Sequence, residues 1–506
     1  MRFPVRMRGR GIPWEWVFGG LLAGLFVFLT SRDFYFPGHR FIYGTYEDVF
    51  LSIDWMHWLK GSMPWNRFGL IPLYHGYLNA YLMLPFFWFF GVSWTIIRLG
   101  PVVWGVGTLA LGYLFLRKAF GRFEAMTFML LCAVNPAFIL GVRTGNDHQS
   151  TLLFFSTACL FGFYRWQATG RSRWLSFGVA MACLGMMTRL WFAWFIAGLV
   201  VGGAFFYFLI LESSRRPSFL KTIAWSALPF ALVGAFSEAV SRTIPIFYAH
   251  RDRSQRIGDL LDGFNGMVSG RYFMKYHFVS AQTGFDSFIP AAFWICFVAM
   301  GVWVAVKCIK KQYDAMGWMW SVLAAMFLCA WASPRELSHH FFIFYPMVFF
   351  VLAVMLGALF RLLRTPAMKG ACVAVLGMLI VLDAIPGWTE YHRCLSVEGE
   401  MIPKLRRWVE DGERSDPVYL GMNHNMSLLS RKISGCLLHQ NLIQMLERKD
   451  RPRRWVLVVS LVESRPKFSA EEYINILNQY GIRQISHEDI SDTTGRPHFR
   501  CIVVEG

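Results

Sequence analysis

Acidic side chains are scarce in this chain. Asp and Glu number 32 against 50 Lys and Arg in 506 residues, and charged residues make up 16% of the total; soluble globular proteins carry about 25%. With 55% hydrophobic and 17% aromatic residues, that deficit excludes an ordinary soluble enzyme and implies a polytopic membrane protein. The ten cysteines form no CxxC pair and the thirteen His show no zinc-ligand spacing, which excludes a disulfide framework and a structural metal cluster. No internal repeat, low-complexity tract or glycine-rich phosphate loop occurs. A net charge of +18 would suit nucleic acid, but Lys and Arg fall in short clusters between apolar runs of about 20 residues, the bilayer-spanning length. The excess is therefore a topology signal, and no nucleic-acid partner is expected. The basic start leads into an apolar run without a small-residue cleavage site, so the first helix is expected to be retained.

About eleven apolar runs follow, at 14–30, 95–116, 125–140, 151–164, 175–187, 191–211, 222–240, 290–306, 318–331, 341–360 and 371–385. Basic clusters occupy every second connection: the N-terminus, then Arg117 with Arg122, Arg165 with Arg173, Arg215 with Lys221, Lys307 with Lys311, and Arg361 with Lys369. This alternation predicts a cytoplasmic N-terminus and an extracytoplasmic C-terminus. Four connections then face outward, at 31–94, 141–150, 241–289 and 332–340. Within the first, 47–60 has apolar residues at helical spacing and 77–91 is apolar and aromatic, so both are expected along the membrane surface. The second stretch could instead be a span, which would invert every later loop. Compact outer loops and the lack of a lysine-rich retention tail favour a bacterial inner membrane.

The fold class expected is an α-helical membrane domain over 1–387 and a small extracytoplasmic α/β domain over 388–506. Past Pro386 the apolar runs shrink to strand size, at 418–421, 455–460 and 499–504, with a helical pattern over 470–480 ended by Gly481.

Residues able to do chemistry concentrate in the outward connections. Tyr43-Gly-Thr-Tyr-Glu-Asp-Val-Phe-Leu-Ser-Ile-Asp54 places three carboxylates after the first apolar run. On a helix Glu47 and Asp54 would stack while Asp48 points about 100° away, so one acid can face a pocket; equally, the acids can cap a surface helix. The 141–150 connection offers Arg143, Asp147 and His148, or is a polar turn with Asp147 as a helix cap. Ser333-Pro-Arg-Glu-Leu-Ser-His-His340 offers Arg335, a fixed cation suited to phosphate, or an interfacial arginine paired with Glu336. His339 and His340 point in different directions on a helix and are a weak metal pair. Arg271 and Lys275, at i and i+4 beside Tyr272 and Tyr276, place positive charge on the face where it is not expected; a phosphate or lipid headgroup would account for it.

In order, Glu47-Asp48, Gly61, Pro72-Leu-Tyr74, the 91–98 stretch, the Leu116-Arg-Lys-Ala-Phe-Gly-Arg122 turn, Asn135-Pro136, Arg143 and Asp147 resemble the GT-C glycosyltransferases, in the branch holding protein O-mannosyltransferases and bacterial lipid A aminoarabinose transferases. The likeness covers roughly 14–194 in motif and later spans in layout only. Glu-Asp stands where the branch has Asp-Glu. The resemblance implies a polyprenyl-phosphate sugar donor entering from membrane lipid, and transfer to a hydroxyl on a lipid, glycan or protein acceptor at the outer face. It assigns Asp48 as base, Glu47 as its neighbour or substitute, and Asp147 as orienting group. Arg335, Arg271, Lys275 and Arg143 would hold the donor phosphate, and His148, His339 and Tyr74 would contact substrate. No cofactor and no metal are expected. A lipid-linked glycan ligase or polymerase, a lipid-sugar transporter, or a non-enzymatic scaffold are the competing classes; a transporter would place its ionisable residues along the spans.

Overall fold

The structure, a computed structural model, describes residues 14–31, 78–91, 94–143, 149–188, 192–241, 288–312, 314–332, 345–411, 416–420, 433–436, 439–447, 452–461, 470–491, 495 and 497–506. It is mostly helical: α1 (Trp14–Ser31), α2 (Leu78–Phe90), α3 (Trp94–Ala119), α4 (Arg122–Val134), α5 (Pro136–Arg143), α6 (Gln149–Thr169), α7 (Ser172–Thr188), α8 (Phe192–Leu209), α9 (Arg216–Ser241), α10 (Phe288–Ile309), α11 (Ala315–Ala332), α12 (Tyr345–Leu362) and α13 (Pro366–Asp411). The apolar runs of the sequence are helical over their described residues, apart from Asn135 and Ile210-Leu211. By length and composition five described stretches suffice to cross a membrane: Trp14–Ser31, Leu99–Ala119, Phe192–Leu209, Ser213–Ala235 and Ala291–Ile309. Large apolar side chains such as Leu21, Phe208, Trp225 and Ile295 are exposed around these helices, a surface that an apolar solvent accommodates and water does not. Helix α2, about 20 Å long at 1.5 Å per residue, is shorter than the roughly 30 Å hydrocarbon core. The 125–140 run, which reads as one span, is two helices broken at Asn135-Pro136, because proline has no N–H to donate and its ring crowds the preceding turn.

Short connections close one end of the bundle: 119–122, 169–172, 209–216, 309–315 and 362–366. Side chains tie this end together. Glu15, 1% exposed, accepts a hydrogen bond from Arg117 Nη2 at 2.5 Å and is ion-paired with Arg122 Nε at 2.9 Å. Glu124, equally buried, pairs with Arg361. Tyr164 Oη donates to the Lys118 carbonyl at 2.6 Å, and Trp318 Nε1 to Gln167 Oε1 at 3.0 Å. Buried carboxylates are costly unless paired and hydrogen-bonded, and each of these two is held by guanidinium.

Helices approach closely where side chains vanish. A Cβ on Gly162 would lie 2.8 Å from the backbone of Gly178, and one on Gly198 2.7 Å from the backbone of Val322. These contacts set α6 against α7 and α8 against α11, the small-residue packing expected where lipid removes any hydrophobic drive between helices.

Helix α13 is 46 residues long, about 69 Å, and runs through Pro386, the point where composition changes. Its far portion lays Met401, Leu405 and Val409 on a five-stranded sheet. The sheet comprises β1 (Val418–Leu420), β2 (Ile433–Cys436), β3 (Arg454–Ser460), β4 (Arg483–Ser491) and β5 (Pro497–Glu505), in the order β2-β1-β3-β5-β4. Strand β1 is parallel to β2 and β3, whereas β5 is antiparallel to β3 and β4. Helices α14 (His439–Leu446) and α15 (Ala470–Gln479) cover the other face with Leu442, Leu446, Tyr473 and Leu477. Strand β3 is covered on both faces, Val456 and Val458 toward α13, and Trp455, Leu457 and Val459 toward α14 and α15. That is why its sequence is an unbroken apolar run.

Candidate active-site end of the helix bundle

The connections that carry the candidate residues all join helices at the end opposite the short turns. Residues 32–77 leave the end of α1, 144–148 join α5 to α6, 242–287 join α9 to α10, and 333–344 join α11 to α12. The flanking helices are in contact. Phe26 of α1 packs on Phe138 of α5, ring centroids 5.9 Å apart, and Phe138 packs on Phe349 near the start of α12, also at 5.9 Å. Phe293 near the start of α10 meets Phe327 near the end of α11 at 6.0 Å. The described helix ends next to these connections therefore pack in two groups, α1 with α5 and α12, and α10 with α11.

The best-defined part of this end is the α4–α5 break. Pro136 interrupts the helical ladder, and the Asn135 side chain closes the new N-terminus by accepting from the Phe138 N–H at 2.8 Å, an Asx cap of the usual kind. The Val134 carbonyl, which a continuous helix would pair with that same N–H, instead accepts from Trp388 Nε1 at 2.9 Å. Helix α13 is thereby fastened to the kink. Beyond it the eight residues of α5 end at Arg143. Val142 is fully buried and reaches α3, where a Cβ on Gly105 would lie 2.6 Å from Val142 Cγ1.

Helix α6 then starts at Gln149 with Ser150 and Thr151 almost wholly buried. The Ser150 hydroxyl has no hydrogen-bond partner. A buried orphan hydroxyl at a helix N-terminus, where backbone N–H groups also point outward, gives this end donor character. On the far side of α3, Met83 of α2 lies against Gly100, so α2 packs along the first turns of α3.

Glu47, Asp48 and Tyr74 fall in 32–77, Asp147 and His148 in 144–148, Arg271 and Lys275 in 242–287, and Arg335 and His339 in 333–344; all nine lie outside the described residues. Arg143 is the last residue of α5. Ser150, Asn135 as a cap, and Trp388 were not singled out by the sequence reading. Asn-Pro inside an apolar run was the available signal for the cap, whereas nothing in the sequence ties Trp388 to a carbonyl so far upstream. The ion-paired Glu15 and Glu124 were also missed, although Glu124 stands two residues from Arg122 and Glu15 five from Arg10. Among the described residues no three His, Cys, Asp or Glu lie close enough to hold a metal ion.

Residues 74–238 match the model of the dolichyl-phosphate-mannose-protein mannosyltransferase family. The fold is similar to that of ArnT from Cupriavidus metallidurans in the apo state, with a TM-score of 0.61 at 12% identity over 97% of each chain. It is equally similar to ArnT from the same organism bound to undecaprenyl phosphate, with a TM-score of 0.61 at 11% identity over 97% of this chain and 98% of that one. The oligosaccharyltransferase of Archaeoglobus fulgidus, in complex with Zn and sulfate, matches with a TM-score of 0.54 at 13% identity, over 88% of this chain and 68% of that one. No curated protein sequence matches the chain.

Proposed function

We propose that this chain, which belongs to the GT-C superfamily of membrane glycosyltransferases, transfers a sugar from a polyprenyl-phosphate donor to a hydroxyl on a lipid, glycan or protein. The observation that carries this reading is that the four connections holding the candidate acids and bases all join described helices at the end away from the short turns. In this reading the reaction runs at the outer face of a bacterial inner membrane, with the N-terminus in the cytoplasm, as the alternation of basic clusters in the sequence suggests.

In this reading the acceptor oxygen attacks the anomeric carbon as the bond from that carbon to the phosphate oxygen breaks. The acceptor proton passes to Asp48, with Glu47 beside it, and Asp147 orients the acceptor or the base. The lipid phosphate departs with its negative charge held by Arg335, Arg271, Lys275 and Arg143. A phosphate ester is a competent leaving group, so cations at the departing oxygen matter more than a strong general acid. His148, His339 and Tyr74 position the sugar or acceptor. The route requires no metal ion or cofactor. The 388–506 region would act as a cap that handles the acceptor.

The fold likeness to the Archaeoglobus oligosaccharyltransferase favours a second reading, transfer of a whole glycan from a lipid-linked carrier. Purified protein incubated with membranes and radiolabelled polyprenyl-phosphate monosaccharide tests both. Label moving to a lipid, glycan or protein supports the first reading. Label that moves only after assembly into a lipid-linked oligosaccharide supports the second, and no transfer from either donor contradicts both.

A further inference from the structure

Two carboxylates are buried at the end of the bundle closed by the short turns, and both meet the first turn of α4. Arg122, where α4 begins, is ion-paired with Glu15 of α1 at 2.9 Å, and Arg117 at the end of α3 donates to the same carboxylate. Glu124, two positions on, is paired with Arg361 of α12. Its carboxylate lies between two glycines: a Cβ on Gly121 would stand 2.9 Å from Glu124 Oε2, and one on Gly357 of α12 would collide with the Glu124 side chain. Helix α4 is thereby fixed against α12 and holds Arg122 as an anchor for α1. These helices lead to three of the outward connections: α1 into 32–77, α4 through α5 into 144–148, and α12 from 333–344.

Apolar packing alone leaves the axial register of α1 open. Its buried residues are Glu15, Leu22, Phe26 and Thr30, while Leu21, Leu25 and Phe28 are exposed. Leu22 and Phe26 are both apolar and one turn apart, so a slip of one turn, about 5.4 Å, exchanges one apolar contact for another. In lipid no hydrophobic drive between helices opposes that exchange. Glu15 alone has no counterpart, because Gly19 stands one turn further on. A buried ion pair is weak evidence for stability, and its best-attested use is to fix register.

We propose that Glu15 is a positioning residue: its pairing with Arg117 and Arg122 sets the axial register of α1 and, about 24 Å away along that helix, the level at which the 32–77 connection leaves the bundle. That connection holds Glu47 and Asp48. The consequence for transfer rests on the sugar-transfer reading above, whereas the consequence for register does not.

The test uses the full chain in lipid nanodiscs. Spin-labelled noncanonical residues replace Phe28 and Leu359, both exposed and on α1 and α12, and pulsed electron resonance measures the distance between them. One distance is expected in the parent. Glu15→Leu, which exchanges the buried carboxylate for an apolar side chain, should stay folded by its melting curve and gain a second population displaced by up to about 5 Å. Glu15→Gln, which keeps the shape and one acceptor oxygen, should show that population in smaller amount. In the unlabelled variants kcat for transfer should fall at least tenfold in Glu15→Leu with the donor KM little changed, and recover in part in Glu15→Gln. A folded Glu15→Leu that keeps the single parental distance overturns the proposal, as does one that slips and still transfers at the parental rate. If Glu15→Leu does not fold, Glu15→Gln decides: the parental distance alone overturns the proposal, and a second population with a lowered kcat supports it. A parent that transfers no sugar contradicts the sugar-transfer reading, and the distances then decide the register by themselves.

Discussion

Trp388 and Val134, 254 positions apart, are joined by an indole N–H···O=C hydrogen bond of 2.9 Å. It supplies the donor that the Asn135-Pro136 break takes from the Val134 carbonyl and holds α13 against the segment leading to Arg143 and Asp147. In Trp388→Phe the indole N–H is lost with part of the ring system, and the carbonyl is left unpaired, which alone is a loss of about 1–3 kcal/mol. Thermal unfolding should show that loss. Transfer activity should fall further than stability alone explains, because α5 loses its tether.

Glu124 is 1% exposed against Arg361, while Glu212 is 70% exposed against Arg215. Arg361 is itself 55% exposed, so removing it costs less than breaking a wholly buried pair but leaves a buried carboxylate unpaired, about 1–3 kcal/mol, whereas an exposed pair is worth about 0–1 kcal/mol. Arg361→Ala should therefore lower the melting temperature and Arg215→Ala hardly at all. Similar melting temperatures for the two variants would show that the buried pair does not hold α4 to α12.

Gly162 and Gly178 leave no room for a methyl group between α6 and α7. Overpacking of this kind costs about 1–3 kcal/mol. Gly162→Ala should destabilise by that amount in a melting experiment, while Gly370→Ala, with nothing within 4 Å of the added Cβ, should be neutral or slightly stabilising.

The sheet has its own acid sensitivity. Arg500 donates two hydrogen bonds to Asp489, at 2.8 and 2.9 Å, and these bonds hold the Asp489 carboxyl below its ordinary value of 3.8. A depressed carboxylate contributes stability that is fully present above its unfolded value and is lost as pH falls through the folded one. Urea unfolding of the full chain, followed by a probe in the sheet, should show a loss of stability below about pH 4 that is smaller in Asp489→Asn. An identical acid limb in that variant would contradict this account.

The helices were legible because the membrane imposes a coarse rule: about 20 apolar residues make a crossing, and nearly all described residues of these runs are helical. The break at Asn135-Pro136 was visible as residues but not as a break, since proline is tolerated in membrane helices when a neighbour re-satisfies the freed groups, and that neighbour, Trp388, is remote. In the sheet, β1, β3 and β5 fall on the three apolar runs. Strand β4, Arg483-Gln-Ile-Ser-His-Glu-Asp-Ile-Ser491, did not read as a strand because it is an edge strand whose residues are largely exposed; charge on an edge guards against unwanted pairing and erases the apolar alternation. The candidate carboxylates were found by contrast, as rare acids in an acid-poor chain. Glu124 escaped because a lone acid near an arginine reads as surface charge until the fold shows it buried, and Glu15 because its partners Arg117 and Arg122 are remote in sequence.

The most direct measurement is sugar transfer from total polyprenyl-linked donors in membranes carrying the parent chain, Asp48→Asn or Glu47→Gln at matched expression. Positioned base catalysis is worth about 10² to 10⁴ in rate, so the account predicts near-complete loss in at least one variant that remains folded. Parental transfer rates in both variants would contradict it and leave the acidic pair as a helix cap.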